Sequence, residues 1–564
     1  PVDFKRYIRL LLALAGALLF SLFIPDQDGT SGLSLFPPAA AILVAVATGR
    51  LILGLGLAIL GGALISLPAD VPLYMLPLRG LQRAVVDFVW SALRESFQLF
   101  ILGFTASLIG MVRVVALAGG TRGIAELLVA RAAGARSTRM ATALLGLAIF
   151  FDDYANTLVV GTTMRPITDR FRISREKLAY LVDSTSAPIA GVAIVSTWIG
   201  FEVGLFDSAM EQVNSGVSGY ELFFRALPAR FYCLLTLAFV VLSIALGRDY
   251  GPMLKAERRA RRTGQVLAAD ADPLTGGESQ IPDHPGLKAH WGVAAAPVLL
   301  VVCGVLGGMH YDARLAPDVV AAHQAHGFFS RLYWTHVFAN ADGAKVMFLS
   351  ALAGSLLAMI LALTRREEAG GQRPLKLPQI LKTWTTGITG FSYALIILVL
   401  AWAIKETCEA VGTSAYIIGA LSGFLDPSYL PLLIFLLAAL VAFSIGTSWT
   451  TMAILLPTMI PVAYDMGGLP LTVLAAAAVL DGAIFGDHCS PISDTTVLSS
   501  IAAACDHIAH VRTQAPYALT TMAAAGLCGY LGSTLFWSPL VGLGLGLAVI
   551  VAVLLLIGKK TDED

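Results

Sequence analysis

Oxygen-bearing side chains recur at four places where this chain is otherwise apolar. Asp152, Asp153, Asn156 and Thr157 stand in the run FFDDYANTLVVGTTMRP, which begins at Phe150. Asp183, Ser184, Thr185 and Ser186 stand in LAYLVDSTSAPIAG, beginning at Leu178. Thr447, Ser448, Thr450 and Thr451 fall in FSIGTSWTTMAILLP. Asp481, Asp487, His488, Ser490, Asp494, Thr495 and Thr496 fall in LAAAAVLDGAIFGDHCSPISDTT. Carboxylates, hydroxyls and freed backbone carbonyls are the ligands that small hard cations prefer. Carboxylates that are desolvated and close together also exchange protons. In a membrane such groups are costly, so their presence there marks a functional site by default.

The elements that must position these residues come in two matching sets. A proline follows ten residues after Asn156 and after Thr447, at Pro166 and Pro457, and each set closes with a Ser/Ala-Pro-Ile step at Ala187–Ile189 and Ser490–Ile492. Interrupted apolar segments in corresponding positions of two halves point to a transporter binding site. The segment 140–164 has Arg131, Arg136 and Arg139 before it and Arg165, Arg170, Arg172, Arg175 and Lys177 after it. Basic residues gather on the cytoplasmic side, so this segment is predicted to be a re-entrant hairpin with its tip, Asp152 to Thr157, at membrane depth. The segment 430–466 has acidic or neutral flanks, including Asp426 and Asp465, and is predicted to be the same device entered from outside. The helices 178–200 and 471–500 are predicted to break at Asp183–Pro188 and Gly486–Asp494, where proline removes a helical bond.

Composition agrees with this placement. Of 564 residues, 57% are hydrophobic and only 13% charged, with a mean hydropathy of +0.76. A soluble domain carries about a quarter charged residues, so the expectation is an all-α polytopic membrane protein built from inverted repeats. The net charge of zero excludes a basic nucleic-acid footprint. Six scattered cysteines show no metal-ligand spacing, and no cofactor is expected. In chain order we expect N-terminal scaffold helices (1–80), a first repeat (81–247), a partly disordered cytoplasmic linker (248–290), second-half scaffold helices with a His-bearing external loop (291–383), a second repeat (384–513) and two closing helices (514–564). Both termini are expected in the cytoplasm of a bacterial inner membrane.

The clusters are rich in acids and poor in bases, which favours Na+ and H+ as the species handled. Cation and proton binding is assigned to Asp152, Asp153, Asn156, Thr157, Asp183, Ser184, Ser186, Thr447, Ser448, Asp487, His488, Ser490, Asp494 and Thr495, with Asp153, Asn156, Ser186 and Asp487 as the metal ligands. Any single Ser or Thr can instead bond back to its own helix, and Asp183 can cap the half-helix that follows it. An intramembrane aspartyl protease would also place two carboxylates on separate helices. Its GxGD signature is missing, since Ile484, Phe485 and Gly486 precede Asp487.

The segments FDDYANT from Phe151, DSTSAPIAG from Asp183 and FGDHCSPISDTT from Phe485 resemble the signature stretches of the NhaC-type Na+/H+ antiporter family, within the larger ion transporter superfamily. The resemblance implies cation sites at Ala155, Asn156 and Thr157 with Ser184 and Ser186. It also implies a homodimer with a fixed scaffold and a mobile transport domain. It implies exchange of Na+ for H+ by alternating access, or, alternatively, Na+-coupled movement of a small organic acid or amino acid. The second tip, Thr447, Ser448, Trp449 and Thr450, lacks the asparagine. Single cysteines flanking 140–164 on either side should react with an impermeant thiol reagent from the cytoplasmic face alone; labelling from opposite faces would make the segment a simple crossing.

Overall fold

With no water to bond it, a backbone in lipid must close its hydrogen bonds internally, and apolar runs of this length do so as helices. The computed structural model describes residues 4–23, 31–48, 50–68, 70–91, 93–129, 134–273, 284, 286–367, 374–421, 425–491 and 493–561. Pro25, Asp26, Asp28, Arg131, Ile492, linker residues 274–283 and the middle of the 365–382 loop lie outside them. Among the described residues, seven helices are long and apolar enough to cross a membrane. The count is eight if Gly219–Ala229 and Phe231–Leu246, bent by 48°, form one span. The chain is an all-α polytopic membrane protein.

It divides into two compact units that interleave along the sequence. One comprises Pro1–Leu99, Phe201–Ala229 and Ser392–Ala483. Here Leu430–Ile445 ends at Gly446, whose φ of 79° supplies the left-handed cap, and Ser448–Cys489 follows. That helix is interrupted at Gly467 and Gly468. Gly468 has φ 64° and ψ −163°, a region that essentially only glycine enters. A Cβ on Gly482 would stand 2.4 Å from the Phe435 carbonyl oxygen, so glycine allows the two helices to approach this closely. Trp449 packs edge-on to Phe201 at 4.5 Å. Glu406 and Glu409 both pair with Lys405.

The other unit comprises Phe100–Gly200, Arg230–Phe391 and Ile484–Asp564, and it holds the first hairpin. The inward leg is Ala135–Ala148 and the outward leg Asp153–Arg170, packed on one another. Both legs return to a single residue. Glu257 pairs with Arg139 near the start of the inward leg and accepts bonds from the backbone nitrogen and hydroxyl of Ser174, just past the outward leg, at 2.8 and 2.7 Å. The fourteen residues of the inward leg span about 21 Å at 1.5 Å per residue, short of a core of about 30 Å.

The half-helix Arg175–Asp183 starts on the same face, and its nine residues end about 13 Å in. The half-helix Asp494–Ala503 returns there too, because Arg175 Nη1 donates to the carbonyls of Ala503 and Ala504 at 2.7 and 3.2 Å. Its ten residues begin about 15 Å in. The two helix breaks therefore stand at similar depth, near the middle of a bilayer.

Several boundaries differ from the sequence-based expectation. The second break is narrower: the chain is helical through Cys489 and leaves the helix only at Ser490–Ser493, around Pro491, whose missing N–H ends the ladder. The beginning of the linker is ordered, since Arg248–Asp249 pairs antiparallel with Lys559–Lys560 and Gly251–Thr263 is a helix. Glu257 and Asp249 hold it by charge. The first closing helix begins at His507, ahead of the expected 514, where Asp506 caps it by accepting from Ala509 N. The external histidines stand on helices rather than in a loop: His323 and His326 are exposed, while His310 is half-buried, bonding the Tyr333 hydroxyl and packing on Phe328.

Lys177 Nζ meets Asp249 Oδ1 at 2.8 Å, both side chains buried, and Tyr517 donates to the same oxygen at 2.7 Å. Burial pushes the Asp249 carboxyl up, but the Lys177 and Arg139 charges outweigh it and hold the group below the ordinary carboxylate range. A lowered carboxyl lends stability above its unfolded value, about 3.9, and loses it as pH falls through the folded value. Asp249→Asn should therefore cost roughly 3–5 kcal/mol at neutral pH by stranding the ammonium. The penalty should shrink on acidification below about pH 4, read by thermal unfolding in detergent; a pH-independent penalty would contradict the pairing.

Candidate functional site

The hairpin turns through Ile149 to Asp152, and its tip is pinned by side chains of the tip itself. Asp152 is the N-cap of the outward leg, Oδ1 accepting from Ala155 N at 2.7 Å. The Phe151 carbonyl accepts from Thr197 N at 3.0 Å. Asn156 turns its amide nitrogen to three carbonyls: Gly146 at 2.6 Å and Ile149 at 3.1 Å on the inward side, and Thr185 at 3.0 Å in the first helix break. The Gly146 Cα stands so close to Thr185 that an added Cβ would collide with it at 2.1 Å. The outward leg packs as closely on the other half-helix, Gly161 against Ala502.

What these bonds leave over is a set of buried oxygens. Asp153 is fully buried; its Oδ1 accepts from Tyr154 N at 3.0 Å, while Oδ2 has no hydrogen-bond partner of good geometry. Asn156 Oδ1 and Thr157 Oγ1 are likewise buried without a partner. Thr157 does not bond back to its own helix as a mid-helix threonine usually does. Thr197 and Trp198 face the Asp152/Asp153 pair, with Arg113 close enough to Asp152, and Asp494 to Asp153, to act on their charge.

At the first break the hydroxyls turn inward. Thr185 donates to the Leu181 carbonyl at 2.7 Å and Ser186 to that of Asp183 at 2.9 Å, while the Ser184 amide completes the last turn on Tyr180. Asp183 is saturated by Gln514, Thr496 and Ser499, with His510 beside it. At the second break Asp494 ties its half-helix to the hairpin tip: Oδ1 accepts from Thr495 N at 2.7 Å and Oδ2 from the Tyr154 hydroxyl at 2.7 Å. Thr495 also reaches Asp487 Oδ2 at 3.4 Å. His488 Nδ1 meets the Tyr232 hydroxyl at 2.9 Å, and Ser490 is buried with its amide on the Asp487 carbonyl at 3.2 Å.

One compact unit thus gathers Asp152, Asp153, Asn156, Thr157, Asp183, Ser184, Ser186, Asp487, His488, Ser490, Asp494 and Thr495. Thr447 and Ser448 belong to the other unit; Ser448 is buried, and the Thr447 carbonyl accepts from Thr451. Among the described residues no three His, Cys, Asp or Glu side chains converge in the manner of a transition-metal site. The donors present are amide, hydroxyl and carboxylate oxygens, the type that hard cations prefer.

Sequence reasoning missed Tyr154, Thr197, His510, Gln514 and Arg230. His510 and Gln514 stand one turn apart on one helical face, a pattern that could have marked them. Two cations also stand nearer the breaks than their sequence positions suggest. Arg113 acts on Asp152, and Arg230, 1% exposed, donates to the Gly191 carbonyl at 2.6 Å beside the first break. The clusters are therefore less base-poor in space than along the chain.

Asn156→Leu keeps the volume and removes the three ties to Gly146, Ile149 and Thr185. Stranding buried polar groups costs about 1–3 kcal/mol each, so thermal unfolding should shift down by several degrees; an unchanged midpoint would mean that the amide does not hold the tip.

Comparison with known proteins gives a consistent picture. The model of the Na+/H+ antiporter family matches residues 189–532. An uncharacterized protein of Haemophilus influenzae is 29% identical over 531 residues, covering 93% of this chain and 95% of that protein. A malate-2H+/Na+-lactate antiporter of Bacillus subtilis is 37% identical over 126 residues, 22% of this chain and 26% of that one. Among solved structures, the Alcanivorax borkumensis YdaH transporter, reported with an unusual topology, superposes with a TM-score of 0.55 over 87% of this chain and 98% of its own, at 14% identity. That likeness is one of fold.

Proposed function

The chain belongs to the Na+/H+ antiporter family and is a secondary transporter rather than an enzyme; from that premise we propose that it exchanges Na+ for H+ by alternating access. The observation that carries this reading is the set of buried oxygens at the first hairpin tip without a well-formed hydrogen bond: Asp153 Oδ2, Asn156 Oδ1 and Thr157 Oγ1. An unmade bond in a buried site costs about 1–3 kcal/mol, and a bound cation would satisfy several at once. Asp153 supplies the negative charge, and a proton on the same carboxylate would compete with Na+. Asp152, capping a helix and facing Arg113, would support the field; Asp494 and Asp487 would couple the site to the second break. Na+ is cargo here, and no cofactor enters the cycle.

Sidedness supports a bacterial inner membrane with cytoplasmic termini. Arg248 pairs with Lys560, so the basic linker and the C-terminal lysines share one face, which the positive-inside rule places in the cytoplasm. Cytoplasmic Na+ would then leave against entering H+. The homodimer and inverted repeats that the resemblance implies belong to the same reading.

A second reading is favoured by Arg230. A buried guanidinium beside the first break suits the carboxylate of a small organic acid or amino acid, and the Bacillus subtilis relative is named for malate and lactate. Thermal stabilisation by such a solute in Na+ but not choline buffer would support it, because a specific ligand stabilises by mass action.

Asp153→Asn in proteoliposomes should abolish pH-dependent Na+ flux while leaving the protein folded. In the wild type the apparent Na+ affinity should weaken about tenfold per pH unit on acidification where one proton displaces one ion. Unchanged flux in the variant would remove Asp153 from the site.

A further inference from the structure

The most heavily bonded carboxylate in the interior is one to which the sequence assigns a cation. Asp183 Oδ2 accepts from Gln514 Nε2 at 2.6 Å and from Thr496 Oγ1 at 3.1 Å, and lies 3.4 Å from His510 Nε2. Oδ1 accepts from Ser499 Oγ at 3.1 Å. All five side chains are fully buried. Gln514 Nε2 also donates to the His488 carbonyl at 2.9 Å, in the last turn before the second break. One amide group therefore holds the residue at which the first half-helix ends and the turn at which the other helix stops.

The contrast with Asp153 gives the arrangement its meaning. Asp153 keeps an oxygen without a well-formed hydrogen bond, whereas both oxygens of Asp183 accept from protein donors. The route from this knot to the hairpin tip is short: Thr185, two residues beyond Asp183, receives Asn156, and Thr495, adjacent to Thr496, leads through Asp494 to Tyr154. We infer that Gln514 is a positioning residue for transport, a clasp on Asp183 and His488 that sets the spacing of the two breaks and, through them, the oxygens at the tip. It touches no cargo. The inference rests on the cation-site reading above for its effect on transport, but the clasp itself is a matter of geometry.

The test uses purified full-length protein carrying Gln514→Leu, of similar volume, with Gln514→Asn as the milder variant should the first not fold. Hydrogen exchange is followed at the amides of Thr185 and Ser186 and of Ser490 and Ser493, and Na+ flux is measured in proteoliposomes. Exchange should rise at both breaks and nowhere else, and the Na+ concentration for half-maximal flux should rise roughly tenfold, the size of one charge-assisted hydrogen bond, with maximal flux little changed. A rise at one break alone, or uniformly along the chain, overturns the clasp. Loosening of both breaks with an unshifted Na+ requirement overturns the positioning role. If the wild type shows no Na+ dependence, the cation reading falls, and exchange at the two breaks alone decides whether the clasp stands.

Discussion

An oxygen buried away from water must find a donor, a proton or a cation, and leaving it without one costs free energy comparable to a sizeable part of a domain's stability. This chain buries many such oxygens around its first hairpin tip and its two helix breaks. Most are bonded within the protein, and those bonds build the architecture. Asn156 draws three carbonyls onto the tip, Asp183 gathers four side chains, and Asp494 ties Tyr154 to the second break. Among those that remain without a well-formed bond are Asp153 Oδ2, Asn156 Oδ1 and Thr157 Oγ1 at the tip. Function, on this view, resides in what the scaffold declines to satisfy.

The same constraint explains the basic fringe. Interrupted helices can reach the middle of the bilayer only if their outer ends are held, and here those ends converge on charged anchors: Glu257, Arg175 and the Lys177–Asp249 pair. Each anchor serves more than one element. Arg175 grips Asp169 with two bonds of 2.6 Å while also taking the carbonyls that end the Asp494–Ala503 helix. Buried ion pairs of this kind contribute little net stability against a hydrophobic alternative, but breaking one is expensive, which suits a part whose task is to fix position.

Much of this was legible in the residues. Apolar run length gave the class of fold, arginines on both flanks of 140–164 marked a segment that starts and ends on one face, and prolines at 188 and 491 marked the breaks. The limits of legibility are physical. Burial of a polar side chain depends on a partner that arrives from elsewhere in the chain, so nothing around His510 and Gln514 in sequence shows that Asp183 will stand beside them. Local spacing likewise gave no sign that Arg113 and Arg230 approach the breaks. Nor did it separate Asp153 from Asp183, two acids with similar neighbours in sequence whose surroundings in space differ completely.

The anchoring of the first hairpin to Glu257 has a consequence for how the molecule is made. Arg139 and its partner are 118 residues apart, and Tyr154 waits for Asp494 across 340. During synthesis the polar tip leaves the ribosome long before these distant partners exist. Contacts this distant form late and leave intermediates exposed, so the hairpin must stay outside the lipid, or in the care of an insertion factor, until the C-terminal helices are translated. A nascent chain that stops short of Asp494 carries a tip held only by its near neighbours, Thr185 and Thr197.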